Sequence, residues 1–186
     1  MGKQKYHSSS WDNLCYPVEE GGLGFRRLVD VSNSLTMKRW WRFRTCKTLW
    51  SNFFQAKYCS NSHPVYYNVK PNHSLAWNNL IKIIEKMEEL LLWRINSGNS
   101  SLWWDNWSEL GVIAQIIHLQ EPPCNQAVSD VIVNNKWNIS NLHLPELLFE
   151  QILSIPIGNH NSVDLPVWMP NSYGSFTTSS AWNCIR

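Results

Sequence analysis

The sequence has few of the features that place a protein in a membrane or a secretory pathway. Among its 186 residues there is no apolar run of about 18, so we expect no membrane-spanning helix. The opening residues, from Met1 to Tyr6, are polar and no apolar stretch follows them, which is unlike a secretory signal. We therefore expect a protein that is not secreted and has no membrane partner, with a nuclear or cytoplasmic location.

Recognisable catalytic motifs are also lacking. The sequence has no glycine-rich phosphate loop, nucleophile elbow or Walker pattern. Asp105, Asp130 and Asp164 stand far apart and share no motif, so we interpret them as caps and turn residues. Two-metal nucleotidyl chemistry needs clustered carboxylates. The sequence therefore predicts a protein that is not an enzyme and needs no cofactor.

The cysteines offer only a weak case for a metal. There are five, an odd number, and without a signal peptide we expect reduced thiols. Cys59 and His63 are four residues apart, which suits a pair of zinc ligands, and Cys46 lies upstream. No fourth ligand follows at a suitable spacing, so buried or loop thiols are the favoured interpretation and no metal site is predicted.

Apolar residues and tryptophan are abundant instead. Hydrophobic residues make up 44% of the chain and there are twelve tryptophans, most of which we assign to the core because Trp is a large apolar side chain. Charge is uneven: residues 1–60 carry ten Lys or Arg and four acids, whereas residues 61–186 carry six and ten. The basic third suits a phosphate backbone, although a solvated basic face explains it equally well.

Local patterns predict a mainly α fold with short β-hairpins, an α+β arrangement. Helices are expected at about 29–45, 48–58, 74–91, 110–119 and 145–154 and from 179 onwards, with hairpins over 93–104 and 167–177. Ser32 or Asn33 would cap the first helix and Ser74 the third. We divide the chain into a flexible lead-in (1–10), a basic helical unit (11–60), a helix with a hairpin (74–108) and a last region (109–186).

The first helix carries the candidate binding residues. Arg42 lies four residues after Lys38 and three after Arg39, so the three share a face, and Arg44 and Lys47 extend the charge. Phosphate contacts from these five side chains would be independent of nucleotide sequence.

Several ordered motifs resemble a known family. The most specific is the run Glu19-Glu20-Gly21-Gly22-Leu23-Gly24-Phe25-Arg26, preceded by Trp11-Asp12 and Cys15. Further matches follow in the order Trp93-Arg94, Gly98, Trp103 with Asp105 and Trp107, Val128-Ser129-Asp130, Asp164, Trp168 and Gly174-Ser175-Phe176. Over about residues 8–186, the chain resembles a segment of plant long-interspersed-element (non-LTR) retrotransposon polyproteins. At Ile95-Asn96-Ser97-Gly98 it departs from the family's usual Val-Gly-Asp-Gly.

This resemblance implies a connector between the reverse transcriptase core and the zinc-binding and ribonuclease H domains. The polymerase's Tyr-x-Asp-Asp pattern and the ribonuclease H carboxylates are missing, so the family's activities do not carry over. The region from 109 would lead into a truncated zinc-binding-type domain. RNA or an RNA–DNA hybrid is then the expected partner, bound weakly, together with the parent's polymerase domains. The alternative is a structural connector, or a decayed transposon product, with no independent activity.

Overall fold

The computed structural model describes residues 10–16, 18–60, 62–66, 73–119 and 125–185. The predicted lead-in lies almost wholly outside these ranges. The helices in the described part are α1 (Trp11–Leu14), α2 (Leu28–Thr45), α3 (Leu49–Tyr58), α4 (Leu75–Ile81), α5 (Ile84–Leu90), α6 (Ile113–Ile116), α7 (Glu146–Ser154) and α8 (Thr178–Ile185). The strands are β1 (Leu91–Arg94), β2 (Ile132–Val133), β3 (Lys136–Trp137) and β4 (Leu165–Trp168). The predicted fold class, mainly helical with small antiparallel sheets, is confirmed.

The long helix α2 forms where its apolar periodicity predicted it. Met37, Trp40 and Phe43 lie on its buried face, and the helix packs against α3, α4, α5 and α8. The predicted caps are wrong: the helix begins after Arg27, which makes no side-chain capping bond. Burial of its apolar stripe evidently stabilises the first turn without a cap, as is common for packed helices.

The next two helices confirm one predicted cap, but they replace a single helix that was predicted. Ser74 caps α4 by accepting the N–H of Trp77, as predicted. The predicted single helix over 74–91 is broken, however, because Ile83 leaves helical geometry with φ −109° and ψ 0°. Ile81, Ile83 and Ile84 are all β-branched, which weakens a helix, and the break turns Ile84 and Met87 into the core.

Both predicted hairpins are wrong. β1 pairs antiparallel with β4, with Leu91 opposite Trp168 and Arg94 opposite Leu165, so each strand finds its partner in the other predicted hairpin. The hairpin that does form joins β2 to β3 through Asn134 and Asn135, whose φ values are 52° and 59°. Asparagine tolerates this left-handed region, which a two-residue hairpin turn requires.

One hydrophobic cluster draws on elements from α2 to α8. Trp40, Trp77, Trp107 and Trp168 are among its fully buried side chains, and of the twelve tryptophans only Trp11 and Trp50 are classed as exposed. The prediction that most tryptophans are core residues is confirmed. No described helix is long and apolar enough to cross a membrane.

The C-terminal helices pack against the same hydrophobic cluster. Pro145 directly precedes α7, near the first turn where proline is favoured, and Leu148 and Ile152 are buried. Leu147, on the other side of the helix, is exposed. The last helix, α8, packs on α2 and buries Ala181. The C-terminal helix is thereby held against the long helix α2.

Candidate nucleic-acid interface

The candidate site is the face of α2 opposite its buried stripe. Lys38, Arg39 and Arg42 are exposed there, and Lys47 is exposed in the link to α3. Among the described residues, none of these four cations has a carboxylate within 4.0 Å. Throughout, "the cationic face" means Lys38, Arg39, Arg42 and Lys47. Because the opposite side of α2 is packed in the core, the backbone positions that carry the three helical cations are fixed.

Arg44, the fifth predicted contact, has a different place. Its Nε donates to Glu88 at 3.0 Å and its Nη2 donates to Asp105. The side chains of the three residues are at most 7% exposed. A phosphate could reach this guanidinium only by breaking the ion pairs, so the expectation that Arg44 contacts nucleic acid is not supported by its position.

The ion pairs set the protonation of this cluster. Burial works against ionisation of Asp105, but the Arg44 charge, the His63 hydrogen bond and the Ser101 N–H outweigh it, so the pKa of Asp105 lies well below its usual value. Burial likewise opposes the charge on Arg44, yet Glu88 and Asp105 raise its pKa. Arg44 and Asp105 are therefore both charged at neutral pH, and their ion pair is a buried structural tie.

Two aromatic side chains complete the surroundings of Arg44. Trp40 donates its indole N–H to Glu88 Oε1 at 2.8 Å. The guanidinium carbon of Arg44 lies 5.6 Å from the centroid of Trp93, a cation–π distance. The Arg44 charge thus meets carboxylates and an indole ring.

The residues considered for zinc do not share a site. Cys59 is buried, and desolvation raises the pKa of its thiol to about 12, whereas Cys46 is exposed. His63 accepts the Val65 N–H at Nδ1 and places Nε2 3.3 Å from Asp105. In the part of the chain that the structure describes, no group of three His, Cys, Asp or Glu side chains is arranged to hold a metal ion.

The other two aspartates act as the sequence predicted, in turns. Asp164 is buried and accepts the N–H groups of Asn96, Gly98 and Ser100 at 2.7–2.9 Å. Asp130 accepts the N–H of Ala127 at 3.0 Å. Asp164 lies in the distant segment that leads into β4, and its hydrogen bonds stabilise the turn that follows β1.

A groove beside the cationic face was not predicted. Its described lining is Arg39 and Arg42 of α2, Thr48 and Trp50 at the start of α3, and Ala76 of α4, and its volume is about 560 Å³. Trp50 is among the more exposed tryptophans, at 36%. Only the helix-packing geometry brings α4 to this place, so no local sequence pattern predicts the groove.

Comparison with known proteins gives one short similarity. Over 57 residues the chain is 39% identical to an Arabidopsis thaliana protein named "Putative ribonuclease H protein". The match covers 30% of this chain and 9% of that protein, so the chain spans a small part of the relative's length. No family model matches the sequence, and no solved structure matches the fold. This similarity agrees with the resemblance drawn from the motifs at a coarse level only: both relate the chain to plant ribonuclease H proteins.

Proposed function

We propose that this chain is a non-catalytic segment of a retrotransposon reverse transcriptase/ribonuclease H-type polyprotein, and that it binds RNA or an RNA–DNA hybrid without sequence preference. The observation that carries the proposal is the cationic face itself. Lys38, Arg39, Arg42 and Lys47 are exposed without carboxylate partners among the described residues, on a helix whose other side is buried. The short similarity to a ribonuclease H protein supports the assignment to this class.

The chemistry of these side chains favours phosphate over base recognition. Lysine and arginine on an exposed helix face can neutralise phosphates and release condensed counterions, which makes binding steeply dependent on salt. Such contacts position a strand but carry no sequence information. Arg44 is left out of the interface, because its guanidinium already pairs with Glu88 and Asp105.

The non-catalytic part of the proposal rests on how the carboxylates are used. Glu88 and Asp105 both pair with Arg44, and Asp164 accepts three backbone N–H groups. Metal-assisted strand cleavage needs carboxylates that converge on a place open to substrate. These three are buried, and each already satisfies groups of the protein itself.

The test combines charge reversal with a salt titration. In the triple variant Lys38→Glu, Arg39→Glu, Arg42→Glu, affinity for single-stranded RNA at low salt should fall at least about tenfold, because the phosphate attraction is replaced by repulsion. In the neutral triple variant with Gln at the same positions, the slope of log K against log salt should become shallower by about two units.

Two controls make the result decisive. A charge reversal at Lys136, an exposed cation on β3, should leave RNA affinity nearly unchanged, since that residue lies outside the cationic face. Cleavage of an RNA–DNA hybrid should not occur with Mg²⁺ or Mn²⁺. Equal binding by wild type and triple variant would refute the binding proposal, and metal-dependent cleavage that survives purification would refute the non-catalytic one.

The alternative function, a structural connector, has its own observation. Before and at the start of α2, Trp11, Leu23, Phe25, Leu28 and Val29 are all exposed, which is a large apolar surface for one short segment. This surface would pack against the parent's polymerase domains. If it is the main functional feature, the protein should self-associate in sedimentation experiments while the triple charge variant binds RNA as wild type does.

A further inference from the structure

The groove beside the cationic face combines charge with an aromatic ring. Arg39 and Arg42 form one wall and Trp50 contributes a large aromatic side chain, with Ala76 lining the side of α4. Thr48 also lines the groove, but its hydroxyl accepts the Ser51 N–H at 3.1 Å and caps α3. Among the described lining residues, the groups that can contact a ligand are therefore two guanidinium groups and one indole.

Trp50 is held firmly although it is exposed. Its ring lies 4.4 Å from Phe54 with an interplanar angle of 32°, and 6.1 Å from Phe43 in an edge arrangement. Phe43 and Phe54 are buried, so Trp50 is packed on fixed neighbours while 36% of it remains exposed. A ligand that stacks on this ring would not need to order it first, which reduces the entropic cost of binding.

From these contacts we infer that the groove binds one nucleotide of a single-stranded nucleic acid, with its phosphate at Arg39 and Arg42 and its base stacked on Trp50. This inference rests on the proposed function and narrows it to unpaired strands. A base inside a duplex is already stacked on its neighbours and cannot present a face to Trp50. Cationic grooves with aromatic platforms are the common means of binding single strands without sequence preference.

The binding experiment separates stacking from phosphate attraction by the choice of probe. The full chain is titrated at low salt into three labelled probes of about twelve nucleotides, oligoadenylate RNA, a fully abasic strand and a blunt RNA duplex, and fluorescence anisotropy is followed. All three carry phosphates, but only the first offers unpaired bases. We expect oligoadenylate to bind at least about fivefold more tightly than the abasic strand, which is the effect of one stacked base.

Variants in the groove then assign the difference to Trp50. Trp50→Leu should lower oligoadenylate affinity to that of the abasic strand and leave the abasic affinity unchanged, whereas Trp50→Phe should keep part of the preference. Ala76→Leu narrows the groove from α4 without altering Trp50, and it should also reduce the preference. This second position keeps the test valid if Trp50→Leu unfolds, which circular dichroism would show.

The outcomes distinguish this inference from the proposed function. Equal binding of oligoadenylate and abasic strand by wild type, with both lost in the triple charge variant, would overturn the stacking inference and leave the proposed function standing. An unchanged preference in both Trp50→Leu and Ala76→Leu would do the same. Failure of wild type to bind any of the three probes would overturn both.

Discussion

Arg44 on α2 donates a hydrogen bond from Nε to the carboxylate of Glu88 on α5 at 3.0 Å, and the two side chains are only 7% and 2% exposed. The same guanidinium pairs with Asp105. This relationship divides the cations of α2 into two kinds. Arg44 ties the helix to the rest of the fold, whereas Lys38, Arg39 and Arg42 face solvent and are free to meet a ligand.

Substitutions at Arg44 and Arg42 should therefore change stability to very different extents. Arg44→Met leaves Glu88 and Asp105 buried without their cation, which typically costs about 3–5 kcal/mol of unfolding free energy. Arg42→Met, on the exposed face, should change stability by less than about 0.5 kcal/mol. Urea unfolding followed by tryptophan emission measures both.

In RNA binding, the variant at Arg42 and not the one at Arg44 should lose affinity. Arg42→Met should weaken binding and reduce its salt slope by slightly less than one unit, as expected for one lost phosphate contact. Folded Arg44→Met, assayed well below its unfolding transition, should bind as wild type does. Equal stability losses in the two variants would contradict the division of the cations proposed above.

Asp105 should make the protein sensitive to acid. Its pKa in the folded state lies below the value of about 3.9 expected in the unfolded chain, so on acidification the unfolded state takes up the proton first. The stabilisation is complete near neutral pH and is lost progressively as the pH falls from about 5. Urea unfolding from pH 7 to pH 3 should show this decline.

Asp105→Asn removes the titrating group and should flatten that part of the pH profile, at the expense of lower stability at pH 7. Asp12→Asn is the matched control, because Asp12 is exposed and lies 3.6 Å from Arg27. If Asp105→Asn retained the full acid dependence, the link between the buried pair and acid sensitivity would be wrong.

The cysteines should differ sharply in reactivity. Burial raises the pKa of Cys59 to about 12, so almost none of its thiolate forms at pH 8. Cys46 is exposed and should be alkylated by iodoacetamide well before Cys59, which should react only when the protein unfolds. Peptide mass spectrometry after timed labelling measures the order. Rapid labelling of Cys59 in the folded protein would show that it is accessible.

The helices that could be predicted are those determined by neighbours along the chain. The apolar spacing of Met37, Trp40 and Phe43 predicts α2, and Ser74 marks the start of α4. The hairpins could not be predicted because the polar turn after β1 looks like a local reversal. Asp164 from the distant segment satisfies the turn's N–H groups, so the chain continues past it and β1 pairs with β4.

The candidate site divides in the same way. Helical spacing correctly groups Lys38, Arg39 and Arg42 on one exposed face. Spacing alone cannot separate Arg44 from them, because its partners lie 44 and 61 residues further along the chain. The Trp50 groove likewise could not be predicted from the sequence, because Ala76 of α4 joins its lining only through helix packing.

The turn closed by Asp164 should be important for stability. Asp164→Ala should lower the unfolding free energy by about 3 kcal/mol or more, because it leaves three N–H groups without their charged acceptor. Asp130→Ala, which removes a single such bond, is the control and should cost about 1 kcal/mol.

Substitution of Gly98, in the same turn, should also destabilise the protein, for a steric reason. Its φ is +77°, and a Cβ at this position would lie 2.6 Å from the Ser129 backbone nitrogen, so Gly98→Ala adds both backbone strain and a clash with main chain that cannot easily move. Gly111, with φ +116° and nothing within 4 Å of its would-be Cβ, suffers the strain alone. In urea unfolding Gly98→Ala should therefore be clearly less stable than Gly111→Ala. If the two variants were equally stable, the close approach of the turn to Ser129 would not be what requires glycine at position 98.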